Sequence, residues 1–269
     1  MLHHDVIRPD DGDVAGWLLF THGIYGAGRN WNAVARKVVA ERERTGAILV
    51  DLREHGGSVG QPAPHTIEAA ARDVADLIPT LDAPVAGAVG HSFGGKVMLM
   101  LVRLLGSDAP REVWIIDSTP AARATPAGSA WDMLGTLRAA PGPFASRGDA
   151  VARLEALGVE TATAQWVSTN LERDADGRLA WRIDLDVMEE LLHSFFAEDL
   201  WDVVEAPPAD VTLHFVKATE SSVLDDDSVR RIEAAGRATG GRVRLHEVAG
   251  GHWLNADNPE GVVAVMAER

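Results

Sequence analysis

The stretch Val85–Met98 constrains this chain more than any other. Pro84-Val85-Ala86-Gly87-Ala88-Val89 reads as a short buried strand, and the apolar run from Phe93 to Leu105 reads as a helix. Between them stands Gly90-His91-Ser92-Phe93-Gly94-Gly95, a G-x-S-x-G pattern in the strand–turn–helix context that a nucleophile elbow needs. Such a turn forces its serine into a strained backbone conformation. Gly90 and Gly94 carry no Cβ to collide as strand and helix close together. The serine hydroxyl is thereby held out from the sheet edge, beside the Phe93 N–H and the positive end of a helix. A rival pattern overlaps it. Gly90 to Lys96 fits the start of a phosphate-binding loop, G-x-x-x-x-G-K, but Val97 occupies the place where that loop needs Ser or Thr to hold magnesium. The elbow is the better reading.

A chain of 269 residues can bury a large core, as one α/β domain or as a domain with an insertion. Its 40 acidic against 25 basic side chains give a net charge of −15, which disfavours nucleic acid and anionic membranes as partners. With no cysteine, disulfides, thiolate metal sites and cysteine nucleophiles are excluded. The N-terminus has neither a basic nor an apolar leader region, and no apolar run approaches the ~20 residues of a membrane span. A cytoplasmic protein without metal or cofactor is the expectation.

Taken in order, Leu2–Ile7 is an edge strand followed by the turn cluster Pro9-Asp10-Asp11-Gly12-Asp13. Gly16–Thr21 is a continuous apolar strand of the kind found in parallel sheets covered on both faces. It runs into His22-Gly23-Ile24-Tyr25-Gly26-Ala27-Gly28, which is not the dinucleotide pattern G-x-G-x-x-G. In a serine hydrolase this loop supplies the second oxyanion donor, and the Ile24 N–H is the candidate. His22 reads as a buried histidine shaping the loop. Trp31–Arg44 has helical spacing with Asn30 as its N-cap, Ala47–Asp51 is a strand, and His55 in the following loop reads as a loop-ordering residue. Thr66 caps a helix reaching Leu77, and Glu112–Asp117 is the next strand.

Strand and helix alternate strictly up to this point, so the chain is expected to form a doubly wound, mostly parallel sheet. Asp117 ends its strand on the edge where such sheets build ligand sites. The alternation then stops. Residues 119–207 contain no convincing strand and carry Trp131, Trp166, Trp181 and Trp201 among helical stretches. They are expected to form a helical cap over the sheet edge, with 1–118 and 208–269 as the core domain. The sheet resumes at Val211–Val216, Asp225–Arg237 is a helix with an acidic first turn, and Val243–Val248 is the last strand. Asn258 caps a final helix with Pro259 in its first position.

A serine hydroxyl is a poor nucleophile at neutral pH and needs an adjacent base. Histidine supplies one, and a carboxylate fixes its tautomer and stabilises the imidazolium. Of the ten histidines, only His252 lies in a glycine-flanked loop after the last strand; His193, His214 and His246 fall inside helix or strands and read as structural.

Four segments together resemble a known family: His22-Gly23-Ile24-Tyr25-Gly26 with Asn30-Trp31, Asp51-Leu52-Arg53-Glu54-His55-Gly56, Gly90-His91-Ser92-Phe93-Gly94-Gly95-Lys96, and Gly251-His252-Trp253. The chain resembles α/β-hydrolases, and within them small serine esterases of the YbfF type, over nearly its whole length. The resemblance implies Ser92 as nucleophile, Asp117 as acid and His252 as base, to which the elbow and the loop after Gly16–Thr21 add the Phe93 and Ile24 N–H groups as candidate oxyanion donors. Tyr25, His91 and Trp253 are the candidate substrate-binding residues. The implied substrate is a small acyl ester of short to medium chain length, with a thioester on the same triad or non-catalytic ligand binding as alternatives. Asn255 departs from the family, standing where His-Trp-x-His is expected. In the commoner layout of the family the acid follows the next-to-last strand, but there this chain has Ser221, with Glu220 and Asp225 nearby. Asp117 is the preferred acid. A serine at the elbow also argues against haloalkane dehalogenases and epoxide hydrolases, which need aspartate there.

Overall fold

The computed structural model describes residues 1–10 and 12–267. Asp11, in the expected turn cluster, lies outside the described residues. The chain opens with β1 (His4–Ile7) and β2 (Gly16–Thr21), then α1 (Asn32–Glu41), β3 (Thr45–Val50), α2 (Ile67–Leu77), β4 (Val85–His91), α3 (Phe93–Leu105) and β5 (Glu112–Ile116). Next come α4 (Ser129–Ala139), α5 (Arg147–Glu155), α6 (Thr161–Val167), the short strands β6 (Leu171–Arg173) and β7 (Leu179–Trp181), α7 (Leu185–Ala197) and α8 (Trp201–Glu205). The chain returns through β8 (Thr212–Ala218), α9 (Asp226–Ala238), β9 (Val243–Val248), α10 (Leu254–Asp257) and α11 (Pro259–Ala267).

Seven strands form one sheet in the order β1-β3-β2-β4-β5-β8-β9. β1 pairs antiparallel with β3 at the edge, and every other pair is parallel. β2 is buried at all six positions, as a strand covered on both faces must be. One face packs on α1 and α11 through Val34, Val38, Val262 and Met266; the other packs on α2, α3 and α9 through Ala70, Val74, Val97, Leu101 and Ile232. This is the doubly wound sheet the alternation predicts. Each fully buried aliphatic side chain in these layers contributes about 1.5–3 kcal/mol.

Several local expectations match the structure. The Thr66 hydroxyl accepts from the Ala69 N–H at 3.1 Å, Asp225 accepts from the Ser228 N–H at 2.8 Å, and Asn258 accepts from the Gly261 N–H at 2.9 Å. Two do not. Asn30 does not cap α1, because a single 3₁₀ turn over Gly28–Trp31 precedes that helix and Asn30 Oδ1 accepts from the Ala27 N–H at 2.7 Å instead. Residues 119–207 also hold a two-stranded hairpin, in which Leu171 pairs with Trp181 and Arg173 with Leu179. Its turn, Asp174-Ala175-Asp176-Gly177, reads in sequence only as a break, but Asp174 accepts from the Asp176 and Arg178 N–H groups and folds the chain back on itself. Among the described residues no helix is long and apolar enough to cross a membrane.

Candidate active site

Three loops at the carboxyl ends of β4, β5 and β9 bring together the residues singled out by spacing. Ser92 follows β4 with φ 51° and ψ −114°, and its N–H donates to the Ile116 carbonyl at 2.9 Å. Asp117 follows β5 with φ 44°; its N–H donates to Val216 O at 2.8 Å, and its Oδ1 accepts from the Ala218 N–H at 3.2 Å. Both residues occupy a left-handed backbone region that costs free energy for non-glycine residues, and such strain concentrates at functional sites. His252 Nδ1 lies 2.7 Å from the other Asp117 oxygen, and His252 Nε2 lies 3.0 Å from Ser92 Oγ. A carboxylate only accepts, so Nδ1 carries the proton and Nε2 is left to accept from the serine hydroxyl. The Asp117 side chain is completely buried, whereas that of His252 is 20% exposed toward the cavity. Glu220 and Asp225 are exposed, and Asp225 is engaged in capping α9.

The loop after β2 is fixed by two histidines. His22 accepts the Leu52 N–H at Nε2 (3.0 Å), and its Nδ1 donates to Gly23 O (2.8 Å). His55 accepts the Tyr25 N–H at Nε2 (3.2 Å), and its Nδ1 donates to Arg53 O (2.8 Å). Each imidazole is used at both nitrogens as a neutral cross-link, in keeping with the loop-shaping roles expected of them. Burial holds the His22 pKa below its ordinary value and pushes His55 down to about 3. The N–H groups of Ile24 and Phe93 form no hydrogen bond with another described residue.

A cavity of about 110 Å³ opens beside Ser92. Its walls are Ile24, Tyr25, His252 and Trp253 from the core, and Ser129, Ala130, Met133, Thr163 and Trp166 from α4 and α6 of the inserted segment. Trp166 meets Trp253 with ring centroids 4.3 Å apart. Tyr25 contributes its ring, but its hydroxyl already donates to Ala130 O at 2.9 Å. His91 is a correction: it does not line this cavity. Its Nε2 donates to the His252 carbonyl at 2.7 Å and its ring packs 4.7 Å from that of His252, so it braces the histidine loop from behind. Burial pushes His91 down to about 3, which keeps it a neutral donor. The phosphate-loop alternative also fails here, because the Lys96 ammonium is turned away into three backbone carbonyls. The cavity residues of the inserted segment carry no motif; only packing brings them to Ser92.

His214 and His246, on β8 and β9, stack beneath Trp114, and burial pushes His214 down to about 4. A histidine held neutral in the fold but protonated near pH 6.5 when unfolded stabilises the fold above that pH and stops doing so as pH falls toward its folded value. With His55, His91 and His214 all shifted downward, the melting temperature should fall steeply between pH 6.5 and 4. His214→Phe should flatten that slope in a thermal-shift titration; an unchanged slope would place the acid sensitivity elsewhere.

The sheet order and the strand-end site define an α/β hydrolase. A model of the alpha/beta hydrolase family matches residues 18–265, and the chain belongs to that family. It is 27% identical over 261 residues to the sn-1-specific diacylglycerol lipase ABHD11 of Mus musculus, covering 93% of this chain and 80% of that one. It is 25% identical over 260 residues to Esterase YbfF of Escherichia coli strain K12, covering 93% and 91%. A solved marine microorganism esterase superposes with a TM-score of 0.82 at 22% identity, covering 100% of this chain and 99% of that one, and shares its fold. The chain is thus a hydrolase of the α/β fold with esterase and lipase relatives.

Proposed function

We propose that this chain is a carboxylic-ester hydrolase acting through an acyl-enzyme on Ser92. The observation that carries the reading is the unbroken hydrogen-bond path from Ser92 Oγ through His252 to the buried Asp117. His252 Nε2 takes the serine proton as Oγ attacks the ester carbonyl. Asp117 holds the tautomer and stabilises the imidazolium that results. The Ile24 and Phe93 N–H groups, without a partner among the described residues, receive the developing oxyanion. His252 then returns the proton to the leaving alcohol, and water attacks the acyl-enzyme by the same route in reverse. The sulfur of a thioester is a better leaving group on the same path, so thioesters are secondary substrates.

The inserted segment acts as the cap, and the cavity it closes receives the acyl chain. Its walls are uncharged, which favours a neutral acyl group. At about 110 Å³ the cavity is small beside the roughly 300–1,000 Å³ of pockets that enclose drug-sized ligands, which favours the short end of the chain-length range.

A fluorophosphonate probe should label the wild type and leave Ser92→Ala unlabelled. If neither is labelled, the esterase reading falls and the pocket is a receptor for a ligand. On p-nitrophenyl esters, kcat/KM should peak between acetate and butyrate. Met133→Ala should raise the hexanoate-to-acetate ratio by roughly tenfold, the scale of one or two methylenes in an apolar pocket. An unchanged ratio would place the acyl chain outside this cavity.

A further inference from the structure

Lys96 closes the Gly90–Lys96 segment and has no part in the chemistry above. It is completely buried on the first turn of α3. Its ammonium donates to Ala121 O at 2.8 Å, Phe195 O at 2.7 Å and Glu198 O at 3.0 Å, which engages all three donors with backbone carbonyls. It also lies 4.5 Å from the centre of the Phe195 ring, over its face. Ala121 lies where the chain leaves the sheet after Asp117, and Phe195 and Glu198 lie where α7 ends and the chain returns. The two passes also bond directly, Arg123 N–H to Phe196 O at 2.7 Å and Leu200 N–H to Pro120 O at 2.9 Å. Lys96 therefore sits at the centre of the neck through which residues 119–207 leave and rejoin the core, four residues along the chain from Ser92.

We propose that Lys96 is a positioning residue that sets the inserted segment over the acyl cavity, and so governs acyl-chain binding rather than the reaction at Ser92. A buried ammonium is costly, and here burial pushes Lys96 down to about 7 against the opposing pull of the Asp199 and Glu198 carboxylates. An apolar side chain would fill the space without that cost. What the charge adds is geometry: carbonyls from both passes must converge on one nitrogen, and the negative end of the α7 dipole points at it. The effect reaches the cavity by two routes. Phe195 stacks on Phe93, the residue after the nucleophile, with centroids 6.1 Å apart. α7 packs against α4 through Trp131 and Phe196, and α4 supplies Met133 to the cavity wall.

The inference rests on the esterase reading, and labelling separates the two. If the wild type resists the fluorophosphonate probe, the esterase reading has failed; if it is labelled, the kinetics of Lys96→Met decide the role of Lys96. Lys96→Met should still be labelled, with KM for the hexanoate ester raised roughly tenfold, on the scale of a lost apolar pocket contact, and kcat for acetate nearly unchanged. Lys96→Arg, which keeps the charge, should recover part of the loss. Wild-type KM values for both esters in Lys96→Met, or an equal fall in kcat for both, would overturn the proposal. If Lys96→Met does not fold, Phe195→Leu decides instead: it removes the ring beneath the ammonium and should produce a smaller rise in the same KM, and unchanged values there would overturn the proposal.

Discussion

Asp117→Asn is expected to lower kcat by about 10⁴, the loss seen when a triad keeps its geometry but loses the carboxylate that fixes the histidine tautomer. The asparagine amide can donate to His252 Nδ1, which would leave Nε2 protonated and unable to accept from Ser92. The size of the effect follows from how completely Asp117 is committed. It is fully buried, one oxygen receives the Ala218 N–H and the other receives His252, so no rotation offers the imidazole a different acceptor. Glu220→Gln, Ser221→Ala and Asp225→Asn should each change kcat only modestly. Glu220 and Asp225 face solvent, Asp225 caps α9, and the Ser221 hydroxyl accepts from the Val223 N–H. Pre-steady-state release of p-nitrophenol checks the step: Asp117→Asn should slow the burst itself. Full activity in Asp117→Asn beside an inactive Glu220→Gln would place the acid after β8 and overturn the assignment to Asp117.

The parallel sheet was legible because a strand buried on both faces leaves an uninterrupted apolar run, and Trp17–Phe20 and Val113–Ile116 are such runs. Ser92 and His252 were legible because tight turns at strand ends demand glycine around them, and glycine shows in sequence. The proposed acid was harder. Asp117 carries no glycine signature, and its left-handed backbone is held by bonds to β8, a hundred residues away in the chain. The inserted segment was legible only as helical. Its hairpin strands are three residues each, too short to display a period, and the side chains that reach the cavity are chosen by how α4 and α6 pack. His91 shows the same limit from the other side. Adjacency to Ser92 suggests substrate contact, but β-strand alternation sends neighbouring side chains to opposite faces, and His91 ends under the His252 loop.

Gly90→Ala is expected to destabilise the fold by about 3 kcal/mol or more, at the upper end of what one overpacked methyl costs. A Cβ built at Gly90 would lie 2.2 Å from the Gly94 carbonyl oxygen, 2.4 Å from its carbon and 2.6 Å from the Gly95 nitrogen. All three are backbone atoms in the first turn of α3, so no rotamer change relieves the contact. α3 would have to move away from β4, and it is buried from Phe93 through Val102 between the sheet and its neighbours. Movement there also carries the Phe93 N–H and the Ser92 hydroxyl away from His252, so activity should fall with stability. At roughly 2–4 °C per kcal/mol for a chain of this size, the melting temperature should drop by about 10 °C. Gly135→Ala is the matched control. It lies on the exposed side of α4 with nothing within 4 Å of a built Cβ, and replacing a helical glycine there should raise stability by about 0.4–1 kcal/mol. Equal melting temperatures for the two variants would mean that β4 and α3 do not close together at Gly90, and the strained serine would need another cause.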